Sequence, residues 1–364
     1  MKKIAFIIGS LSGGGAQQVA VTLANELSEK DYSIDIVVLQ LDDSKYLNWL
    51  SDKVKIINLD KKRLRYSIIS LFNYLLTNKF DICLVFDYYL TFVISILKLF
   101  NYHYIKIVTR CINTLSIDFK YENIFLKYFK RIVVKLGYNL SDLIICQSNG
   151  MKFDLIDSFK ISSNKIKVIN NPLNKLVETN ICYDFNLKED YLFCIGRLEE
   201  QKNFKLAIES FEKLKNKYPN LRLKIAGIGS FKEKLLKMAK NLKVIDRVDF
   251  LGFISGDDLL NNYRKARLTL LTSLFEGFPN ILIESLALGT PIVSVNCPSG
   301  PSEIIVNGVN GFLVDSYNSE DYVKAIIKGL EFDWDYKALI NSVNKYHSEF
   351  IIKEYIGNIE EITM

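Results

Sequence analysis

Short apolar, β-rich runs alternate with longer helical patterns from one end of this 364-residue chain to the other. Few folds satisfy that alternation, because strand, helix and strand in repetition build a parallel sheet with helices on its faces. In the first half the strand-like runs are Lys3–Gly9, Ile34–Gln40, Lys55–Asp60, Asp81–Phe86, Lys106–Thr109, Leu143–Gln147 and Lys167–Asn170. Helical patterns fill the gaps, beginning with Ala16–Lys30, where Val19, Leu23 and Leu27 recur four residues apart. Asn170-Asn171-Pro172 and the polar stretch Asn174–Asp190 read as a linker. The alternation then restarts with strands Tyr191–Ile195, Arg222–Ala226, Val248–Leu251, Leu268–Leu271 and Pro291–Val295, and beyond about Tyr317 the chain is helical and charged. The expectation is an α/β chain of two Rossmann-like, doubly wound domains, residues 1–172 and 190–345. Their ligands belong outside the carboxyl ends of the strands, in a cleft between two facing domains.

Composition narrows the class. Half the residues (49%) are apolar, enough for a core in each domain. Residues 1–172 carry 23 Lys and Arg against 15 Asp and Glu, and the remainder 24 against 26. The positive charge therefore belongs to the N-terminal half, which predicts an anionic partner there. Six scattered cysteines without a C-x-x-C pair, and two histidines, indicate neither a zinc site nor a disulfide framework. Ile4–Ile8 is too short for a signal peptide, and the Ile82–Phe100 run is broken by Asp87 and Lys98. A cytoplasmic protein without a membrane span is expected.

Three loops leave helix N-termini open to a ligand. Gly9-Ser10-Leu11-Ser12-Gly13-Gly14-Gly15 follows the first strand and opens the first helix, so the glycines permit close backbone approach to an anion. A merely tight turn is the alternative, and the spacing matches neither a dinucleotide fingerprint nor a P-loop. In Phe275-Glu276-Gly277-Phe278-Pro279-Asn280 the proline suits the first helical position, which puts the uncapping Phe278 before it and leaves the N–H groups of Asn280 and Ile281 in want of an acceptor. Ser299-Gly300-Pro301-Ser302 repeats the idea. Charged residues stand at the same edge. Arg197 and Lys202 follow a strand, where two cations can hold a diphosphate, and Glu276 and Glu284 are separated by seven residues spanning the helix start. Singly, each has an ordinary surface reading.

Taken together, these motifs resemble family 4 of the retaining glycosyltransferases. Glu276-Gly277-Phe278-Pro279-Asn280-Ile281-Leu282-Ile283-Glu284 is similar to the family's pair of glutamates, and Gly196-Arg197, Gln201-Lys202-Asn203 and Ala226-Gly227-Ile228-Gly229 stand in the family's order. The resemblance implies a GT-B fold in which residues 1–172 bind the acceptor and residues 190–345 the nucleotide-sugar donor, with a C-terminal helix, about 346–364, that crosses back to the first domain. It also implies retention at the anomeric carbon and no metal or other cofactor. Arg197 and Lys202 would hold the donor diphosphate, Glu276 the donor sugar and Glu284 the ribose. The Phe278, Pro279, Asn280 and Ile281 backbone would meet sugar and phosphate, and Gly13, Gly14 and Gly15 would close over the diphosphate. The histidine that many relatives place at the reacting sugar has no counterpart at His103 or His347, and Thr109-Arg110-Cys111-Ile112-Asn113 offers Arg110 at the acceptor instead.

Helix Phe119–Leu140 interleaves Lys120, Lys127, Lys130, Arg131 and Lys135 with aromatics. Such a helix suits an anionic bilayer surface, and the alternative is a helix on its own sheet with solvated lysines. Lys61-Lys62-Arg63-Leu64-Arg65 adds charge, and no nucleic-acid module is present. The expected activity is transfer of a hexose or N-acetylhexosamine from a UDP-sugar to a lipid-diphosphate-linked glycan, by a protein resting on the inner face of the cytoplasmic membrane. A non-catalytic sugar-nucleotide-binding subunit and a GT-B epimerase are the alternatives.

Overall fold

A computed structural model of the chain describes residues 1–41, 46–61, 64–99, 105–181 and 187–364, and the side chains of Leu64 and Tyr121 are not among those described. Lys62, Arg63, His103 and Cys182 lie outside the described residues. The chain divides into two compact units, Met1–Asn174 with Ser348–Met364, and Lys175–His347.

The first unit holds a sheet in the order β3-β2-β1-β4-β5-β6-β7, every pairing parallel. Its strands are β1 (Lys2–Ile8), β2 (Tyr32–Val38), β3 (Val54–Asn58), β4 (Ile82–Val85), β5 (Lys106–Arg110), β6 (Leu143–Cys146) and β7 (Ile166–Val168). Side chains alternate across a strand, so each face needs its own cover. Ile4, Phe6 and Ile8 of β1 join one cluster with helix Gly15–Ser28 and with Ile351, Ile352, Tyr355 and Ile359 of the C-terminal helix Ser348–Thr363. Ala5 and Ile7 join the other, with Leu71, Leu75, Leu90 and Ile94 of helices Leu64–Asn78 and Tyr88–Leu99. Both faces are therefore dry, which is why these strands read as unbroken apolar runs.

The second unit repeats the plan in the order β10-β9-β8-β11-β12-β13, from β8 (Tyr191–Ile195), β9 (Arg222–Ala226), β10 (Val248–Gly252), β11 (Leu268–Leu271), β12 (Ile292–Val295) and β13 (Gly311–Val314). Edge strand β13 is the one absent from the strands read in sequence. It is four residues long beside an asparagine- and glycine-rich turn, and pairing with β12 makes it a strand. The long basic helix also differs: it spans Ile124–Leu140, because Asn123 accepts the Leu126 N–H and fixes the start there, while Phe119–Tyr121 forms a separate turn. Cys83, Cys111, Cys146, Cys194 and Cys297 are buried free thiols, and burial pushes that of Cys83 up to about 12.

Helices Tyr88–Leu99 and Ile124–Leu140 cross at Gly137, where a Cβ would stand 2.9 Å from Phe92 Cα. Alanine there trades that clash against a gain in helix propensity of about 0.5–1 kcal/mol. Leucine adds volume that no propensity offsets. Gly137→Leu is expected to destabilise the protein by about 1–3 kcal/mol, read as a lowered urea midpoint.

Candidate functional site

The second sheet reverses its strand order between β8 and β11, with β9 and β10 on one side and β12 and β13 on the other. Loops leaving the carboxyl ends of two such strands diverge and make room for a ligand. Arg197 and Lys202 stand on the loop after β8, and Glu276 on the loop after β11.

The loops are fastened by side chains of the Gln201-Lys202-Asn203 motif. Lys202 Nζ lies 2.5 Å from Glu276 Oε1, with the two side chains 17% and 8% exposed. Gln201 Nε2 donates to Phe275 O at 2.9 Å, and Thr272 Oγ1 donates to Lys202 O at 2.8 Å. Asn203 adopts a left-handed φ of 46° between the turn and helix Phe204–Leu214, a conformation asparagine accepts more readily than most residues. Arg197 is exposed and makes a 3.5 Å contact with Gln201 Oε1. Glycine serves backbone approach here. A Cβ at Gly227, whose φ is 139°, would fall 1.8 Å from Gly196 O, and one at Gly229 2.4 Å from Leu198 O. The Ala226-Gly227-Ile228-Gly229 motif thereby lets the β9 loop lie on the β8 loop.

Glu284 is the fifth residue of helix Asn280–Ala287 and is 5% exposed, so the solvated alternative does not hold. Tyr263 Oη donates to its Oε2 at 3.1 Å. Burial first, and the carboxylate second, hold the Tyr263 phenol well above its ordinary value, so it stays a donor. Nothing in sequence separated Tyr263 from its buried helix neighbours Leu259 and Leu260. Pro279 occupies the N-cap rather than the first helical position, so Asn280 opens the helix, and no side chain caps it. The proline ring packs on Gly300, where a Cβ would come within 2.4 Å of its Cδ. Phe278 is buried with its ring 5.5 Å from that of Tyr346, and Asn280 and Ile281 are half-buried. On these two loops Arg197 and Lys202 against Glu276 leave one net positive charge, which suits an anionic group.

In the first unit Gly14 is the N-cap of helix Gly15–Ser28, without a side-chain cap or an acidic residue in the first turn, and Gly13 has a φ of 119°. That end suits an anion. Arg110 is buried: it is 2% exposed, its Nε donates to Tyr355 Oη at 3.2 Å, its Nη2 donates to Asn171, and its Cζ lies 5.4 Å from the Phe86 ring centroid. This buried guanidinium ties the C-terminal helix to the sheet through Tyr355. Helix Ile124–Leu140 buries Val133, Val134 and Tyr138 and exposes Ile124, Phe125, Tyr128, Phe129, Ile132 and Leu136 along one stripe, with Phe125 86% exposed. Its outer face is thus aromatic, while Lys130 pairs with Glu122 and Arg131 donates to Ser158 O. No helix among the described residues is long and apolar enough to cross a membrane.

Comparison with known proteins agrees with this layout. Residues 13–175 match the model of Glycosyltransferase Family 4, and residues 183–345 that of Glycosyl transferases group 1. The chain is 29% identical over 352 residues to the Campylobacter jejuni N-acetylgalactosamine-N,N'-diacetylbacillosaminyl-diphospho-undecaprenol 4-alpha-N-acetylgalactosaminyltransferase, covering 94% of this chain and 93% of that one. Among solved structures it resembles Anabaena HepE in complex with UDP-glucose (TM-score 0.80, 17% identity, 99% and 100% coverage). It also resembles the lipopolysaccharide outer core galactosyltransferase WaaB in its apo form (TM-score 0.74, 20% identity, 99% coverage of each).

Removing one partner of a buried ion pair strands the other. Lys202→Met is expected to lower stability by roughly 3 kcal/mol, and Lys202→Met with Glu276→Gln by less than the sum of the single changes. Chemical denaturation of the four proteins checks this, and strict additivity would disprove the coupling.

Proposed function

The chain belongs to the family 4 glycosyltransferases of GT-B fold, and on that premise we propose that it transfers a hexose or N-acetylhexosamine from a UDP-sugar, with retention, to a lipid-diphosphate-linked glycan in surface polysaccharide assembly. The observation that carries this reading is the Lys202–Glu276 pair beside exposed Arg197 at the strand-order reversal, with Glu284 held by Tyr263 on the adjoining helix. In this reading Arg197 and Lys202 neutralise the donor diphosphate and the charge that develops on it as it departs. Glu276 accepts hydrogen bonds from the donor sugar and Glu284 from the ribose. The backbone at Phe278, Pro279, Asn280 and Ile281 lies against sugar and phosphate, and Gly13, Gly14 and Gly15 offer N–H groups to an anion from the first unit. Two fixed cations take the part a metal plays elsewhere, so the reaction proceeds without one.

The uridine assignment draws on the UDP-glucose complex of the Anabaena protein, and the lipid-diphosphate acceptor on the name of the Campylobacter relative. The aromatic stripe of helix Ile124–Leu140, with exposed Lys120 and Lys135 nearby, supports contact with an anionic membrane on the cytoplasmic side.

Three outcomes are expected. Incubation with UDP-, GDP- and ADP-sugars and an undecaprenyl-diphosphate-linked glycan gives transfer from a UDP-sugar that persists in EDTA, and conversion of the donor to an epimer without acceptor would overturn the reading. Glu276→Gln lowers kcat by about 10²–10³-fold in protein of unchanged fold. Phe125→Ser with Phe129→Ser abolishes co-sedimentation with phosphatidylglycerol vesicles while leaving UDP binding intact; equal sedimentation of the variant would remove the membrane assignment.

A further inference from the structure

Glu276 ends the loop of residues 272–276 that leaves β11, so its place depends on what holds that loop's backbone. From the β8 side the turn Glu200–Lys202 holds it: Gln201 Nε2 donates to Phe275 O at 2.9 Å, and Gln201 O accepts the Leu274 N–H at 2.8 Å. From the other side the hold comes from the chain that follows β13. Tyr317 Oη donates to Leu274 O at 2.9 Å and lies 3.5 Å from Ser273 O. Tyr322 Oη donates to Leu271 O at 3.2 Å and to Val293 O at 2.8 Å. We propose that Tyr317 is a positioning residue for the transfer reaction, setting the Glu276 carboxylate from across the sheet through the carbonyl of Leu274.

β12 stands between β11 and β13, so the loops that leave those two strands start about 9–10 Å apart. A tyrosine bridges such a gap with two side-chain torsions and a donor at its tip. The segment that carries it is itself fixed at both ends. Asn296 Nδ2, after β12, donates to Asp315 Oδ1 at 2.7 Å, and Asn318 caps helix Ser319–Glu331 by accepting the Glu320 N–H at 2.7 Å. Tyr322 lies in the first turn of that helix and is wholly buried, so it anchors the strand ends, whereas Tyr317 is 44% exposed and its phenol acts on the loop. The carbonyls of Leu271, Leu274 and Phe275 are thus taken by Tyr322, Tyr317 and Gln201, and the Glu276 N–H by Pro298 O at 3.3 Å. Loss of the Tyr317 hydroxyl frees Leu274 O, two residues from Glu276, while Lys202 still pairs with the carboxylate. The loop then samples placements in which Glu276 misses the donor sugar. Arg197 and Lys202 still meet the diphosphate, so the loss falls on the chemical step and not on donor binding.

What Glu276 does rests on the transferase reading, and how it is held does not, so the test pairs two measurements. Hydrogen exchange with peptide mass spectrometry, on the full chain without substrate, compares wild type with Tyr317→Phe. Exchange over residues 272–276 is expected to quicken about threefold to tenfold, as for one lost neutral hydrogen bond, and more than over β11. In transfer assays Tyr317→Phe lowers kcat by about the same factor and leaves the donor KM within about twofold. Added to Glu276→Gln, it lowers kcat no further, because a residue that acts through Glu276 has nothing left to position. A general loosening of the fold would instead multiply the two losses. Unchanged exchange over residues 272–276, an unchanged kcat, or losses that multiply in the double variant would each overturn the positioning role. Absence of transfer by the wild type with every donor would count against the transferase reading alone, and exchange would still decide whether Tyr317 holds the loop.

Discussion

Every strand in both sheets runs the same way, so every connection must climb back across a face before the next strand begins. That requirement covers both faces with helices and sends all functional loops to one edge. Where the chain has built outward from β1 or β8 and then returns to build on the other side, adjacent loops part. The Arg197, Lys202 and Glu276 group occupies one such parting, and a cavity lined by Asp87 and Gln17 the other.

At the second-unit site, charge and packing are hard to separate. Lys202 joins Glu276 while its backbone carbonyl takes Thr272 and its neighbour Gln201 holds Phe275, so one three-residue turn both carries a cation and fixes the loop that carries the carboxylate. Glycines 227, 229 and 300 act on the same geometry by what they lack, since a Cβ at any of them would strike backbone or the Pro279 ring. Buried Glu284 keeps its orientation through Tyr263, a residue with no charge of its own.

The chain's two halves differ in what their motifs disclose. In the second, the motif residues also fasten the loops to one another, so their spacing in the chain foreshadows what the structure brings together. In the first, the conspicuous residue is Arg110, and its guanidinium is spent on Tyr355, Asn171 and Phe86. Tyr355 is 245 residues away, so no local pattern could announce that bond. Asp87 drew notice only as an interruption in an apolar run, although it opens helix Tyr88–Leu99 by taking the N–H groups of Tyr89 and Leu90.

The sequence by itself determined the class of fold, twelve of the thirteen strands and the motifs of the second unit, because apolar period and loop chemistry are local properties of the chain. It did not determine β13, which exists through pairing with β12, or the start of the basic helix, which the Asn123 cap fixed over propensity. Only tertiary structure decided which charges stay exposed and which are paired inside. Arg110 and Glu284 looked alike as polar residues beside apolar runs, and long-range partners alone made one a clamp and the other a buried carboxylate at the site.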